Sequence, residues 1–471
     1  RYAFSTERVE MLVDYYLDGI CKQMVYGIYP DKGVKNRSIS RRERFGPAGT
    51  SIPRTLLRVT DYRNDELEEI IRLRRGEAEP SLSYSKYFWQ SEHFVCQRPD
   101  YYTSVRMYSV RNRNMEVPYN SEGLKNHHKG DGANFLSIRG DEYVNIWPVY
   151  DWQKIPGTTI LQKPELPPPG EVQKDGLTGF VGAVTDGYYG AAAFDFISPH
   201  DPVKARKSWF FFDDHYVCLG AGIESLSPYP VVTTLNQCLL GADVMVREDR
   251  RVRRMNLGIH RLQDPEWIHH DRVGYLILDT GTVHLSNRVE KGTWYDISRQ
   301  WDVSKDTVQK EVFKLWIDHG ARPQGRRGGL VNQPMIARDV TYQYAVIPAL
   351  EINEMQQAAD RLTGSRGIRI IANNRWLQGV YHMGEGIAQV IFFRAGTARL
   401  PIGITVSVDS PGAVMLHMEG SRVSRITAAD PSRLMQRLHL TLEIPGSVTR
   451  DLAIDLPEEP CAGRSITLTM E

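Results

Sequence analysis

The chain has 471 residues, 41% of them hydrophobic and 24% charged, which excludes wholesale disorder and leaves room for about three domains. Its 58 Lys and Arg against 57 Asp and Glu leave a net charge of +1, so a protein that grips nucleic acid over its whole surface is disfavoured. No apolar run reaches the roughly 18 residues of a membrane span, and five scattered cysteines with no C-x-x-C pair speak for buried free thiols rather than a zinc ribbon or a disulfide framework.

Helical periodicity comes first. Val9, Leu12, Val13, Tyr16, Leu17 and Ile20 recur at steps of three and four, which predicts one apolar stripe on a helix starting at Ser5 or Thr6 and stopped by Gly27 and Pro30. A second helix is expected over 65–75, with Gly76 at its C-terminal end.

From Tyr87 the texture turns strand-like. Tyr102 to Ser109 alternates, and 273–278 and 342–347 read as short strands bounded by turn residues. No helices of 10–15 residues alternate with these strands, so a parallel α/β sheet is disfavoured and a large antiparallel sandwich expected. The Pro-rich stretch 161–176 reads as a surface loop inside it. A short helix over 351–362 precedes Gly364, and 368–471 is all β. The expected architecture is α+β, with boundaries near 85 and 365: a helical part over 1–85, a central β domain over 86–365 and a smaller β domain over 366–471.

Three stretches carry chemistry. In Asn36-Arg37-Ser38-Ile39-Ser40-Arg41, the four-residue spacing turns both guanidinium forks to one side, a receptor for carboxylate or sulfate. The loop 111–132 gathers Glu116, Asn120, Glu122, His127, His128 and Asp131. Adjacent histidines in an extended segment diverge, which disfavours a metal site there. Glu116 and Glu122 could instead form a hydrolase acid pair. The aromatics from Tyr143 to Trp152 suit either sugar stacking or the core of a sandwich, with the core favoured. Gly220-Ala221-Gly222 lacks a following helix and does not read as a nucleotide loop.

Taken in succession, Asn36-Arg37-Ser38-Ile39-Ser40-Arg41, Tyr119-Asn120-Ser121-Glu122-Gly123, Gly130-Asp131-Gly132-Ala133-Asn134 and Asn145-Ile146-Trp147-Pro148 through Lys154-Ile155-Pro156-Gly157 resemble the polysaccharide lyases of the chondroitin AC lyase, hyaluronate lyase and xanthan lyase family. The resemblance implies a remnant of an α/α toroid, a large antiparallel β super-sandwich and a smaller C-terminal β-sandwich. It implies β-elimination on a uronic-acid-containing acidic polysaccharide, and a secreted or periplasmic location. In that family a Tyr assisted by a His moves the protons. By similarity Arg37 lies beside that Tyr, Glu116 orients the His, and Arg41 and Asn120 hold substrate. The Tyr, the His and most of the toroid should precede Arg1, in the same or a separate chain. A chain lacking them taken literally reads as a non-catalytic carbohydrate-binding protein. No cofactor is required. Some members bind calcium near this turn, where Asp151 matches but Gln153, Gln162 and Lys163 stand.

Overall fold

The computed structural model describes residues 4–42, 45–324, 339–420, 422–446 and 448–470, together with the backbone of 326–328 and 336–338. Helix α1 (Thr6–Asp14) is capped by the Ser5 hydroxyl, which accepts the Arg8 N–H. It runs directly into a π-helical turn over Tyr15–Ile20. The wider turn rotates the stripe predicted from the sequence. Val13, Tyr16, Leu17 and Cys21 are buried; Leu12 and Met11 already face outward in α1, and beyond the start of the π turn Ile20 faces outward with Tyr15. Inserting one residue into the ladder displaces every later side chain around the axis, and the sequence does not announce it. Helices α2 (Ser51–Leu56) and α3 (Asn64–Arg75) complete this part. α3 ends as expected on Gly76 in the left-handed conformation and buries Leu67, Ile70, Ile71 and Leu73. Burying each such side chain stabilises by about 1.5–3 kcal/mol.

The rest is antiparallel β. Strands Tyr84–Phe88, His93–Arg98, Tyr101–Arg106 and Ala133–Ser137 form a four-stranded sheet in that order. Behind it lie a nine-stranded and a five-stranded sheet. The strand Tyr101–Arg106 is buried on both faces: Tyr102 packs against Val25 and Tyr26 of the helical part, and Tyr101 and Val105 join the central core. That core also takes in Tyr143, Trp147, Tyr150 and Trp152, so these aromatics build the sandwich and do not form a sugar platform. The strand Tyr216–Ser225 runs through Gly220-Ala221-Gly222.

Residues 368–469 form a six-stranded and a four-stranded sheet packed face to face. Helix α4 (Met355–Thr363) wedges Met355, Ala358, Ala359 and Leu362 between the nine-stranded sheet and this second sandwich. Cys21, Cys96, Cys218 and Cys238 are buried free thiols, and Cys461 is a half-buried one. No helix among the described residues is long and apolar enough to cross a membrane.

Candidate functional site

The segment 31–41 leaves the helical part and lies along the four-stranded sheet. Buried Asp31 fixes it: the carboxylate accepts from Ser104 Oγ (2.9 Å), Tyr102 Oη (3.2 Å) and the Gly33 N–H (2.8 Å), and pairs with His93 Nε2 at 2.7 Å. Lys129, fully buried, donates its ammonium to the carbonyls of Lys32 and Lys35. Burial pulls that amine down to about 7.

The anchored segment then makes a single 3₁₀ turn over Arg37–Ser40. Arg37 Nη1 donates to Glu116 Oε1 at 2.5 Å, and the Arg37 N–H reaches Glu116 Oε2 at 3.3 Å. Arg41 makes a two-toothed pair with Glu122, with Nε to Oε1 and Nη2 to Oε2 both at 2.7 Å. Glu122 is only 5% exposed, and its Oε2 also lies 3.6 Å from Arg37 Nε. The Arg37 guanidinium sits over the Tyr119 ring, 5.4 Å from its centre.

Glycine makes this closeness possible. Gly123 has φ +69°, and a Cβ there would lie 2.7 Å from Arg37 Cα. Ser40 Oγ accepts the Gly123 N–H at 3.1 Å, and Asn126 Nδ2 donates to the Asn36 carbonyl at 3.2 Å. Asn120 and Ser121 both take positive φ, a conformation Asn tolerates better than most residues.

Arg37, Arg41, Glu116 and Asn120 are therefore brought to one place. The two arginines do not form an open anion receptor, because glutamates of the chain itself fill much of their donor geometry. The same pairing counts against Glu116 and Glu122 as a hydrolase couple, since Glu116 spends its oxygens on the Arg37 guanidinium and backbone N–H and Glu122 spends both of its oxygens on the Arg41 guanidinium. His128 Nδ1 pairs with Asp131 at 2.9 Å in the interior, and no group of three metal-ligating side chains includes His127, His128 or Asp131 among the described residues.

Arg41, Arg42, Asn120 and Glu122 line a cavity of about 420 Å³ together with Gln300 and Trp301. The sequence reading missed these last two. They sit on a loop opened by a reciprocal cap between Thr293 and Asp296 and anchored by buried Trp294 and Ile297. The loop is tied to the Asn120 turn through the Arg299 N–H to the Ser121 carbonyl (2.8 Å) and through Gln300 Nε2 to the Asn120 carbonyl. Trp301 is 94% exposed. A solitary tryptophan usually signals core, so only its extreme exposure beside the cavity marks it as a contact residue.

The Asp151 carboxylate does not face an open cage. Lys154 Nζ lies 3.1 Å from Asp151 Oδ2 and 2.6 Å from Gln162 Oε1, while Gln153 Nε2 donates to the Lys163 carbonyl at 2.8 Å. Gln153 and Gln162 bring no negative charge, and an ammonium already bridges Asp151 and Gln162. These donors do not fit a hard divalent cation, which favours several carboxylate and carbonyl oxygens.

Two family models match the chain: the super-sandwich domain of polysaccharide lyase family 8 over residues 83–359, and the C-terminal beta-sandwich domain of the same family over 369–439. The chain is 33% identical to the chondroitinase-AC of Pedobacter heparinus over 99% of its own length and 64% of that protein. It is 28% identical to a hyaluronate lyase of Thermasporomyces composti, over 76% of this chain and 44% of that one. A solved chondroitinase AC lyase, studied as oligosaccharide complexes, superposes with a TM-score of 0.88 at 31% identity, covering 99% of this chain and 66% of that one. The chain thus spans less than two thirds of the length of these relatives.

Proposed function

Since this chain belongs to polysaccharide lyase family 8, we propose that in the full-length protein it cleaves a uronate-containing acidic polysaccharide of the chondroitin or hyaluronan type by β-elimination, leaving a 4,5-unsaturated uronate. The observation that carries the reading is the Arg37–Glu116 and Arg41–Glu122 network at the rim of a cavity that Asn120 also lines. Abstraction of the C5 proton loads further negative charge onto the neighbouring carboxylate, and fixed donors are what lower that barrier. Asn120 and Arg41 hold the sugar, while Arg37, steadied by Glu116, stabilises the phenolate of the base.

The described residues lining this cavity include no histidine or tyrosine. The proton-transfer pair is assigned to a toroid segment, in the same or a separate chain, that packs on the outward apolar face formed by Met11, Leu12, Tyr15 and Ile20. The Lys154 ammonium between Asp151 and Gln162 supports an activity that requires no calcium, and the protein acts outside the cytoplasm, where such polymers are found. Incubation of the full-length protein with chondroitin or hyaluronan is expected to raise near-ultraviolet absorbance as unsaturated ends accumulate. No rise with any acidic polymer overturns the reading and leaves the second one, a non-catalytic carbohydrate-binding protein, which exposed Trp301 also suits.

Trp301 is expected to stack on a sugar ring at the mouth of the cavity. Trp301→Ala should remove about 1–2 kcal/mol of binding, seen as a 5–30-fold rise in KM with kcat changed much less. An unchanged KM removes Trp301 from the contact surface.

A further inference from the structure

Away from the cleft, two tight hairpin turns from different domains meet. One, Phe212 to His215, joins the strands Val203–Phe211 and Tyr216–Ser225 of the nine-stranded sheet, and the Phe212 N–H closes it on the His215 carbonyl at 3.0 Å. The other joins Leu377–His382 to Ile387–Phe392 in the C-terminal sandwich and carries Glu385. Among the described residues, His215, His382 and Glu385 form a group whose donor atoms all lie within 4.8 Å of one another.

The cluster is built rather than incidental. The His215 side chain is 0% exposed, and its Nδ1 lies 2.7 Å from Asp214 Oδ1. That bond puts the proton on Nδ1 and leaves the Nε2 lone pair directed inward, and Nε2 is buried with no hydrogen-bond partner. Asp214 is itself held by Arg361 of α4 at 2.6 Å. A carboxylate that orients an imidazole in this way is the usual outer support of a metal-bound histidine. Glu385 Oε2 is also buried without a partner, and Oε1 lies 3.6 Å from His382 Nε2. Glu385 thus faces two imidazoles, and Asp213 and Asp214 lie close enough to act on its charge. Arg361 is already committed to Asp214, and Arg98 acts on the Glu385 charge less than burial and the two aspartates do. Negative charge and lone pairs converge here, and a cation is what the geometry lacks.

We propose that His215 Nε2, His382 Nε2 and the Glu385 carboxylate bind one transition-metal cation of the zinc type, which clamps the C-terminal sandwich to the central sheet. Two imidazoles and a carboxylate suit such a cation better than calcium or magnesium. Closing from the present spacing to metal–nitrogen bonds of about 2.0–2.1 Å moves each ligand atom by less than about 1 Å. His382 Nδ1 now accepts the Glu385 N–H at 2.9 Å. On binding, Nδ1 takes the proton and that one bond in the turn is released. The site shares no residue with the cavity at Arg41 and does not depend on the proposed reaction.

The chelator-treated full-length protein, titrated with Zn²⁺ in a calorimeter and with Co²⁺ by visible absorption, tests this. The expected result is one equivalent bound, a cobalt d–d band of four- or five-coordinate intensity and a Tm raised by several degrees. His382→Gln and Glu385→Gln, each confirmed folded by circular dichroism, should weaken Zn²⁺ binding at least tenfold and abolish the Tm rise. Failure of the folded wild type to take up one equivalent overturns the site. Equal affinity in both variants places the metal elsewhere and overturns it as well.

Discussion

Arg37→Ala in the full-length protein is expected to lower kcat on chondroitin or hyaluronan by about 10²–10³-fold at neutral pH, within the roughly 10²–10⁴-fold that a positioned base contributes, because the phenol it serves is then protonated over more of the pH range. Arg37 is tied into the site on three sides, by Glu116 at 2.5 Å, by Glu122 at 3.6 Å and by the Tyr119 ring. Its position is therefore fixed before substrate arrives, and no reorganisation is spent during the reaction. The substitution should also change the pH profile. A phenol has an unperturbed pKa of about 10, and a neighbouring guanidinium favours its anion. Without Arg37 the acid limb of kcat/KM should move to higher pH, whereas a purely structural loss lowers the rate equally at every pH. Arg37→Lys should rescue only part of the activity, because a point-charge ammonium cannot span Glu116 and Glu122 as a planar fork does. Glu116→Gln should fall between, since the Arg37 N–H keeps an acceptor while the charged pair is lost. A kcat within threefold of wild type for Arg37→Ala would remove Arg37 from the reaction.

What was legible in the sequence was local. α3 could be read because its period, its acidic first turn and Gly76 lie within a dozen residues of one another. The start of α1 was readable at Ser5 for the same reason, but the π turn at Tyr15 was not, because it answers to packing of Tyr16, Leu17 and Cys21 against α3. At the site, the spacing of Arg37 and Arg41 flagged a pair of guanidiniums on one side. Their partners were hidden: Glu122 is 81 residues from Arg41, and only the positive φ of Gly123 lets its loop close on Arg37. Beside Glu116 in one loop, Glu122 reads as half of a hydrolase pair, yet it is the buried counter-ion that orients Arg41. Trp301 carries no local signal, since its exposure depends on a loop fixed from below by Trp294 and from the side by Ser121. The Asp31–His93 pair is equally silent, with 62 residues between partners.

That pair supports the second large effect. Asp31→Ala is expected to cost about 3–5 kcal/mol, the scale for breaking a buried pair from one side, because Asp31 is 1% exposed and serves His93, Ser104, Tyr102 and the Gly33 N–H together. The damage should be directional. Residues 31–41 are held to the sheet chiefly by this carboxylate and by Lys129, so their amide hydrogen exchange should rise more than that of α3 or the C-terminal sandwich. Activity should fall with it, since Arg37 and Arg41 ride on the same segment. The pH dependence follows from the sign of the shift. Burial alone pushes the Asp31 carboxyl up, but the bonds from His93, Gly33 and Ser104 outweigh it and hold the group below its ordinary value. A carboxyl depressed in the folded state stabilises fully above its unfolded pKa of about 3.9 and loses that contribution as pH falls through the folded value. Urea midpoints of wild type and Asp31→Asn should therefore differ most near neutrality and converge in acid. A gap that stays constant from pH 7 down to pH 2 would show that the carboxylate's charge is not what holds the segment.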